Sequence, residues 1–227
     1  VVRRGETLAS ARLLGCERVE FLGYRDSGRT GGTAVPSVFC TADVEDVARR
    51  VATLLEDENA HALFIYDPVG GYGHPDHVQV HRVGSRAAQL ARTAVVLEAT
   101  VDRDLLLRAL RWASRIPLLG LRVDAASFRD CYVPGDCVTH RVDVRQFARL
   151  KRASIAAHAS QASGGAGTRT LGALRRLPFP LFRRVLGTEW YVKRGVPAGY
   201  RGDHPLAEPH WPGTTGCAAP SPKSVIA

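Results

Sequence analysis

"HALFIYDPVGGYGHPDHVQVHRVGSRAAQLAR", residues 61 to 92, places a short apolar run, a glycine-rich loop and a long mixed apolar and polar segment in immediate succession. The run at 61–66 predicts a strand. The segment at 74–92 predicts a helix, with Pro75 in its first turn where a missing N–H costs nothing. Working outward, Leu8, Ala11 and Leu14 recur at helical spacing before Gly15, predicting a helix over 3–14. Residues 18–24 ("RVEFLGY") alternate like a strand, and a Gly-, Ser- and Thr-rich loop follows at 25–40. A second helix is predicted at 44–57, with Val44, Val47, Val51, Leu54 and Leu55 on one side and Thr41 or Asp43 as its cap. A strand at 93–99 and a helix at 102–114 continue the alternation, which predicts a mostly parallel sheet with helices on both faces.

The second half reads less regularly. A strand is expected at 137–144, a helix at 145–159, a break at "SQASGGAGT", a Pro-interrupted amphipathic piece at 171–186 and a last strand at 188–195. Residues 1–197 are read as one domain. Residues 198–227, rich in Pro, Gly and small polar residues, are read as a disordered tail. A crossover helix returns from a preceding strand, so a chain that opens with a helix is expected to lack the first strand of its sheet; the other reading is an ordinary amino-terminal helix packed on the sheet. The sequence has no methionine, even at position 1, and is expected to begin inside a longer protein or at a non-standard start codon.

Composition narrows the function. The 227 residues are 45% hydrophobic, enough to bury an ordinary core. Five scattered cysteines without a C-x-x-C pair suggest neither a disulfide framework nor a cysteine zinc site, and a reducing cytosol is expected. No apolar run approaches a membrane span, so no membrane partner is expected. The net charge of +9 comes mostly from dispersed arginines without a base-reading motif, so no nucleic-acid partner is expected either.

The loop inside the opening stretch carries the chemistry. A loop at the carboxyl end of a parallel strand, leading into a helix, is where open α/β sheets place their sites. With His74 as helix cap, Asp76 enters the first turn, where free N–H groups and the helix dipole favour an acid. His74 and His77 share a face near the helix start, one suited to a metal and the other to a reacting group. His81, one turn on, can pair with His77 in the manner of H-E-x-x-H metalloproteases, although the diagnostic glutamate is absent. Each histidine alone also reads as an ordinary hydrogen-bonded residue, but the cluster in a glycine-rich strand-to-helix loop reads as a site.

Three stretches in order, "FLGYRDSG" (21–28), "YDPVGGYGHPDHVQVHR" (66–82) and "KRASIAAHASQ" (151–161), resemble the PIG-L/LmbE family of zinc-dependent N-deacetylases. That family includes enzymes acting on N-acetylglucosaminyl inositol in mycothiol synthesis and a mycothiol-conjugate amidase. The resemblance covers about residues 3 to 195 and rests chiefly on G-H-P-D-H. It implies a Rossmann-like α/β three-layer sandwich, zinc as cofactor, and an aminosugar conjugate as small-molecule substrate. It further implies His77 as zinc ligand, and His74 as the group that stabilises the tetrahedral intermediate or protonates the leaving amine. Asp76 is implied as the supporting carboxylate, Tyr72 as a mobile tyrosine near the oxyanion, and Asp26 and Arg3 as contacts to the sugar or its attached group. His158 falls in a motif near the substrate.

The sequence departs from the family pattern in one respect. Members open with a strand ending in A-H-P-D-D-E, which supplies two further zinc ligands and the general base; no such segment occurs in these residues. Three explanations stand: an amino-terminally truncated form of an active enzyme, a degenerate relative that keeps the pocket as a non-catalytic sugar-binding module, or a different metal site joining His77 and His81 to His140 or His158. The 227 residues alone are expected to bind zinc weakly and to show little deacetylase activity.

Overall fold

The computed structural model describes residues 2–28, 38–113, 128–162, 176–197, 199–202 and 204–206. The loop at 29–37, the glycine-rich break at 163–175 and the tail from 207 lie outside the described residues. The helices are α1 (Val2–Leu14), α2 (Val44–Asp57), α3 (Pro75–Leu90), α4 (Arg103–Ala113), α5 (Ala148–Ala157) and α6 (Phe179–Val185). The strands are β1 (Ala62–Tyr66), β2 (Val95–Thr100), β3 (His140–Asp143) and β4 (Thr188–Lys193), in sheet order β1-β2-β4-β3. The chain divides into two units, one of residues 1–23 and 142–189 and the other of 24–141 and 190–227.

In the larger unit, α2 begins where Asp43 accepts a hydrogen bond from the Asp46 N–H at 2.9 Å, and Glu45 and Asp46 add negative charge to its first turn. Its inner face, Val47, Ala48 and Ala52, is buried. α2 packs on α3, which buries Val83, Ala87 and Ala88 and also packs on β1. Gly84 of α3 allows that approach, since a Cβ there would overlap the Ile65 side chain. Leu97 of β2 and Val47 are fully buried, each contributing about 2 kcal/mol of transfer free energy. The α2–α3 seam also holds Gln79, whose amide donates to the Ala42 carbonyl at 2.7 Å.

β1 and β2 run parallel in register from Ala62↔Val95 to Tyr66↔Ala99, with α3 as the crossover between them. β4 pairs with β2 antiparallel, from Leu97↔Lys193 to Thr100↔Trp190. The sheet is therefore mixed, where alternation alone predicts a mostly parallel one. A parallel pairing needs a crossover such as α3, and β4 arrives from the irregular second half of the chain instead.

Residues 18–24 do not form the expected strand. An alternating pattern becomes a strand only with a paired neighbour, and among the described residues the ladder contact beside this segment is a single parallel bridge from Arg25 to Val38. Past residue 197, Gly202 bridges to His140 and donates to the Thr139 carbonyl at 2.9 Å. The buried Lys193 ammonium donates to the Pro205 carbonyl at 2.9 Å, and the Arg201 guanidinium to the carbonyls of Gly135 and Asp136. This part of the expected tail is attached to the sheet unit.

In the smaller unit, α1 packs on α5, and the hydroxyls of Ser10 and Ser154 share a 2.7 Å hydrogen bond between them. Phe182 of α6 is fully buried, with the Arg152 guanidinium over its ring. The helix expected at 145–159 is α5 preceded by a 3-10 turn at Arg145–Phe147 and followed by another at Ala159–Ala162. Among the described residues no helix is long and apolar enough to cross a membrane. Cys16, Cys40 and Cys131 are free thiols, whereas Cys137 is disulfide-bonded, a single bridge where the cysteine spacing suggested no framework. Scattered spacing argues against a framework of bridges but does not prevent a single one.

Candidate functional site

The loop after β1 is wound around one carboxylate. Asp67 is fully buried; its Oδ1 accepts from the Gly71 N–H at 2.8 Å and its Oδ2 from the Thr100 hydroxyl at 2.6 Å. Its own carbonyl accepts from the Gly70 N–H at 2.9 Å, and the Tyr132 N–H donates to the Gly71 carbonyl at 2.6 Å. Gly70 has φ +69°, and a Cβ there would lie 2.8 Å from the Val78 nitrogen and 2.9 Å from the His74 oxygen, so only glycine fits. This turn delivers the chain to the start of α3.

His74 is the N-cap of α3, as its position before Pro75 predicts, with φ −74° and ψ 128°. Its Nδ1 accepts from the Asp76 N–H at 3.2 Å. That bond needs a lone pair on Nδ1, so the ring proton of neutral His74 sits on Nε2. His77 has the reverse arrangement. Its Nδ1 faces the Gly70 carbonyl at 3.2 Å, and a carbonyl only accepts, so Nδ1 carries the proton and Nε2 the lone pair. The Tyr66 ring stacks on the His77 imidazole at 3.8 Å with 4° between planes, and Tyr72 meets it edge-on at 5.2 Å. The two histidine rings are 4.8 Å apart. Burial, and then repulsion from His74 when that ring is protonated, lower the pKa of His77, which favours its neutral form. A neutral imidazole whose second nitrogen is tied to a carbonyl is the form that ligates metals.

Asp76 reaches the other way. Its Oδ2 accepts from the Ser27 N–H at 3.0 Å, while Oδ1 is buried with no hydrogen-bond partner among the described residues. Next to Ser27, the Oδ1 of Asp26 accepts from the Gly28 N–H at 2.8 Å. Asp26, His74 and Asp76 present donor atoms that all lie within 4.8 Å of one another, a group that can hold a metal ion. A buried carboxylate oxygen without a partner fits such an ion, because a bound cation removes the cost of desolvation. His77 is not part of that group.

Five of the seven residues singled out from the sequence, Asp26, Tyr72, His74, Asp76 and His77, therefore lie in the larger unit. Arg3 and His158 belong to the smaller one, Arg3 in the first turn of α1 and His158 at the carboxyl cap of α5 with φ −87° and ψ 54°. His81 points back into the fold, its Nδ1–H donating to the Tyr66 carbonyl at 3.1 Å and lying 3.5 Å from Glu98. The His140 ring is buried, with its Nδ1 hydrogen-bonded to the Thr139 hydroxyl at 2.8 Å. Neither joins a metal-holding group among the described residues, which removes support from a site built on them.

Sequence reasoning missed two residues. Asp67 carries a local signal, since it is the first acid after an apolar strand and precedes a proline in a glycine-rich loop. Glu6 carries none. Its carboxylate accepts from both the N–H and the hydroxyl of Ser160, at 2.7 and 2.6 Å, a pairing across 154 positions.

Residues 1–88 match the model of a protein family described as "PIG-L: GlcNAc-PI de-N-acetylase". Similar relatives share the name 1D-myo-inositol 2-acetamido-2-deoxy-alpha-D-glucopyranoside deacetylase. The one from Streptomyces griseus is 34% identical over 88% of this chain and 67% of its own length. The one from Geodermatophilus obscurus is 32% identical over 88% and 75%, and the one from Acidothermus cellulolyticus 34% over 87% and 70%.

Proposed function

Because this chain belongs to the PIG-L (GlcNAc-PI de-N-acetylase) family, we propose that it takes part in zinc-dependent removal of the N-acetyl group from an N-acetylglucosamine conjugate of the inositol type. The activity for which the relatives are named supports the substrate class. The observation that carries the reading within this chain is the opposed hydrogen bonding of the two histidines. His77, tied through Nδ1–H to Gly70, would hold the metal through Nε2. His74, accepting at Nδ1, keeps a proton on Nε2 that can hydrogen-bond the tetrahedral intermediate or the departing amine nitrogen.

When bound, a divalent zinc provides hydroxide near neutral pH and polarises the amide carbonyl. The other steps fall to side chains. Tyr72, 42% exposed at the loop tip, donates its hydroxyl to the oxygen on which negative charge develops. Asp76 holds the Ser27 segment against the cap and supports His74 there. Asp26, Arg3 and His158 contact the sugar and its attached group. The same reading takes residues 1–197 as one Rossmann-like domain, supported by the β1–α3–β2 crossover unit.

Residues 1–227 contain one ligand of the family pattern and no A-H-P-D-D-E segment. On their own they bind zinc weakly and turn over little substrate. Zinc titration of this chain and two variants tests the assignment: His77→Ala removes the residual binding and His74→Ala keeps it. Loss in His74→Ala with binding retained in His77→Ala would transfer the metal to the Asp26, His74 and Asp76 group, and equal loss in both would show that the two roles are misassigned. Tight stoichiometric zinc with rapid turnover would overturn the partial-site reading. Saturable sugar binding indifferent to chelator and to His77→Ala would instead mark a non-catalytic sugar-binding module.

A further inference from the structure

Within the smaller unit, Arg3 and His158 sit on separate elements, and one side chain joins those elements. Glu6 lies one turn after Arg3 on α1, and Ser160 lies two residues after His158, in the turn that follows α5. One oxygen of Glu6 accepts from the Ser160 N–H at 2.7 Å and the other from the Ser160 hydroxyl at 2.6 Å. Both are short, charge-assisted hydrogen bonds, and together they use both carboxylate oxygens, which defines an orientation as well as a contact. They lower the pKa of Glu6, and the charges of His158 and Arg3 add to the effect, so both groups lie within electrostatic reach of this carboxylate.

We infer that Glu6 is a positioning residue for the substrate, clamping the turn that carries His158 against the turn that carries Arg3 so that both side chains meet the sugar conjugate in one arrangement. The inference rests on the proposed substrate-contacting roles of Arg3 and His158. It differs from simple helix packing in a way that can be measured. The α1–α5 contact has a second hydrogen bond, Ser10 to Ser154 at 2.7 Å, one turn further along α1 from Glu6. If Glu6 only held the helices together, loss of the serine pair would have the same consequence.

The test is calorimetric binding of 1D-myo-inositol 2-acetamido-2-deoxy-alpha-D-glucopyranoside to the 227-residue chain, with melting temperature measured in parallel. Glu6→Ala weakens binding about tenfold, which corresponds to about 1.4 kcal/mol. Glu6→Gln, whose amide oxygen still accepts from the Ser160 N–H, recovers most of the affinity. Ser10→Ala lowers the melting temperature and leaves the affinity unchanged. The Arg3→Ala, Glu6→Ala double variant loses less affinity than the two single losses combined, because part of the clamp's effect passes through Arg3. Wild-type affinity in Glu6→Ala together with weakened binding in Arg3→Ala would overturn the positioning role and leave the functional reading intact. Equal affinity losses in Ser10→Ala and Glu6→Ala would reduce Glu6 to a packing contact. Wild-type affinity in both Arg3→Ala and His158→Ala would overturn the substrate contacts themselves, and the inference with them.

Discussion

The cap of α3 and the α1–α5 clamp are both small polar assemblies, built in opposite ways. The cap is written in consecutive residues, Tyr66 to His77, and its decisive hydrogen bonds join positions two to seven apart: Asp76 to His74, Gly71 to Asp67, His77 to Gly70. The clamp joins Glu6 to Ser160, with 154 positions between the partners. The first has its geometry imposed by backbone conformation, through a glycine that no other residue can replace. The second has helix surfaces that tolerate many residues, and its geometry comes from two side chains. Damage to the cap should therefore cost stability steeply and locally, while damage to the clamp should cost little stability and show in binding.

The largest expected effect is at Gly70. Gly70→Ala forces a left-handed backbone on alanine and drives its Cβ into the His74 carbonyl and the Val78 nitrogen, costing about 3 to 4 kcal/mol. Gly73→Ala has the same sign of φ, at +83°, but nothing within 4 Å of its Cβ, so it costs about 1 kcal/mol. Urea unfolding of both variants is the measurement, and equal costs would show that the cap is not held by close backbone approach.

A pair of carboxylates sharpens the comparison through pH. Glu98, beneath α3, is 6% exposed, and burial pushes its pKa from 4.5 up to about 7 despite the opposing charge of Arg194. The folded state then binds the extra proton, so this contribution to stability is complete below pH 4.5 and is lost as pH rises to about 7. The decline amounts to about 2 to 3 kcal/mol, and Glu98→Gln removes it in thermal melts taken across that window. Glu6 behaves with the opposite sign. The Ser160 hydrogen bonds lower its pKa below 4.5, so its contribution is present above that value and is lost as pH falls through the lowered one. Glu6→Gln flattens this acid limb. Because the group is exposed, the change is the smallest of the three. A Glu98→Gln variant that steepens the neutral limb would reverse the reading of the sheet beneath the cap.

Legibility in the sequence follows the same division. Helices at 2–14, 44–57 and 75–90 lie within two residues of the spans read from apolar spacing and caps, because helix hydrogen bonds are local and Asp43, Gly15 and Pro75 mark their ends. His74 as N-cap was readable for the same reason. The segment 18–24 was misread, since its alternation is local but a strand is completed by a neighbour elsewhere in the chain. Asp67 was within reach of sequence reading, and Glu6 was not, because nothing near position 6 announces Ser160.

The sequence by itself determined the strand–loop–helix unit, the glycine-rich turn, the histidine at the helix cap and the family, all consequences of interactions between near neighbours or of a contiguous motif. Tertiary structure alone decided the antiparallel entry of β4, which nitrogen of His77 is tied to a carbonyl, the buried oxygen of Asp76 that has no partner among the described residues, and the pairing of Glu6 with Ser160. Each of these depends on where a distant backbone or side-chain group comes to rest, and hydrogen bonds and burial act on distance in space, whatever the separation along the chain.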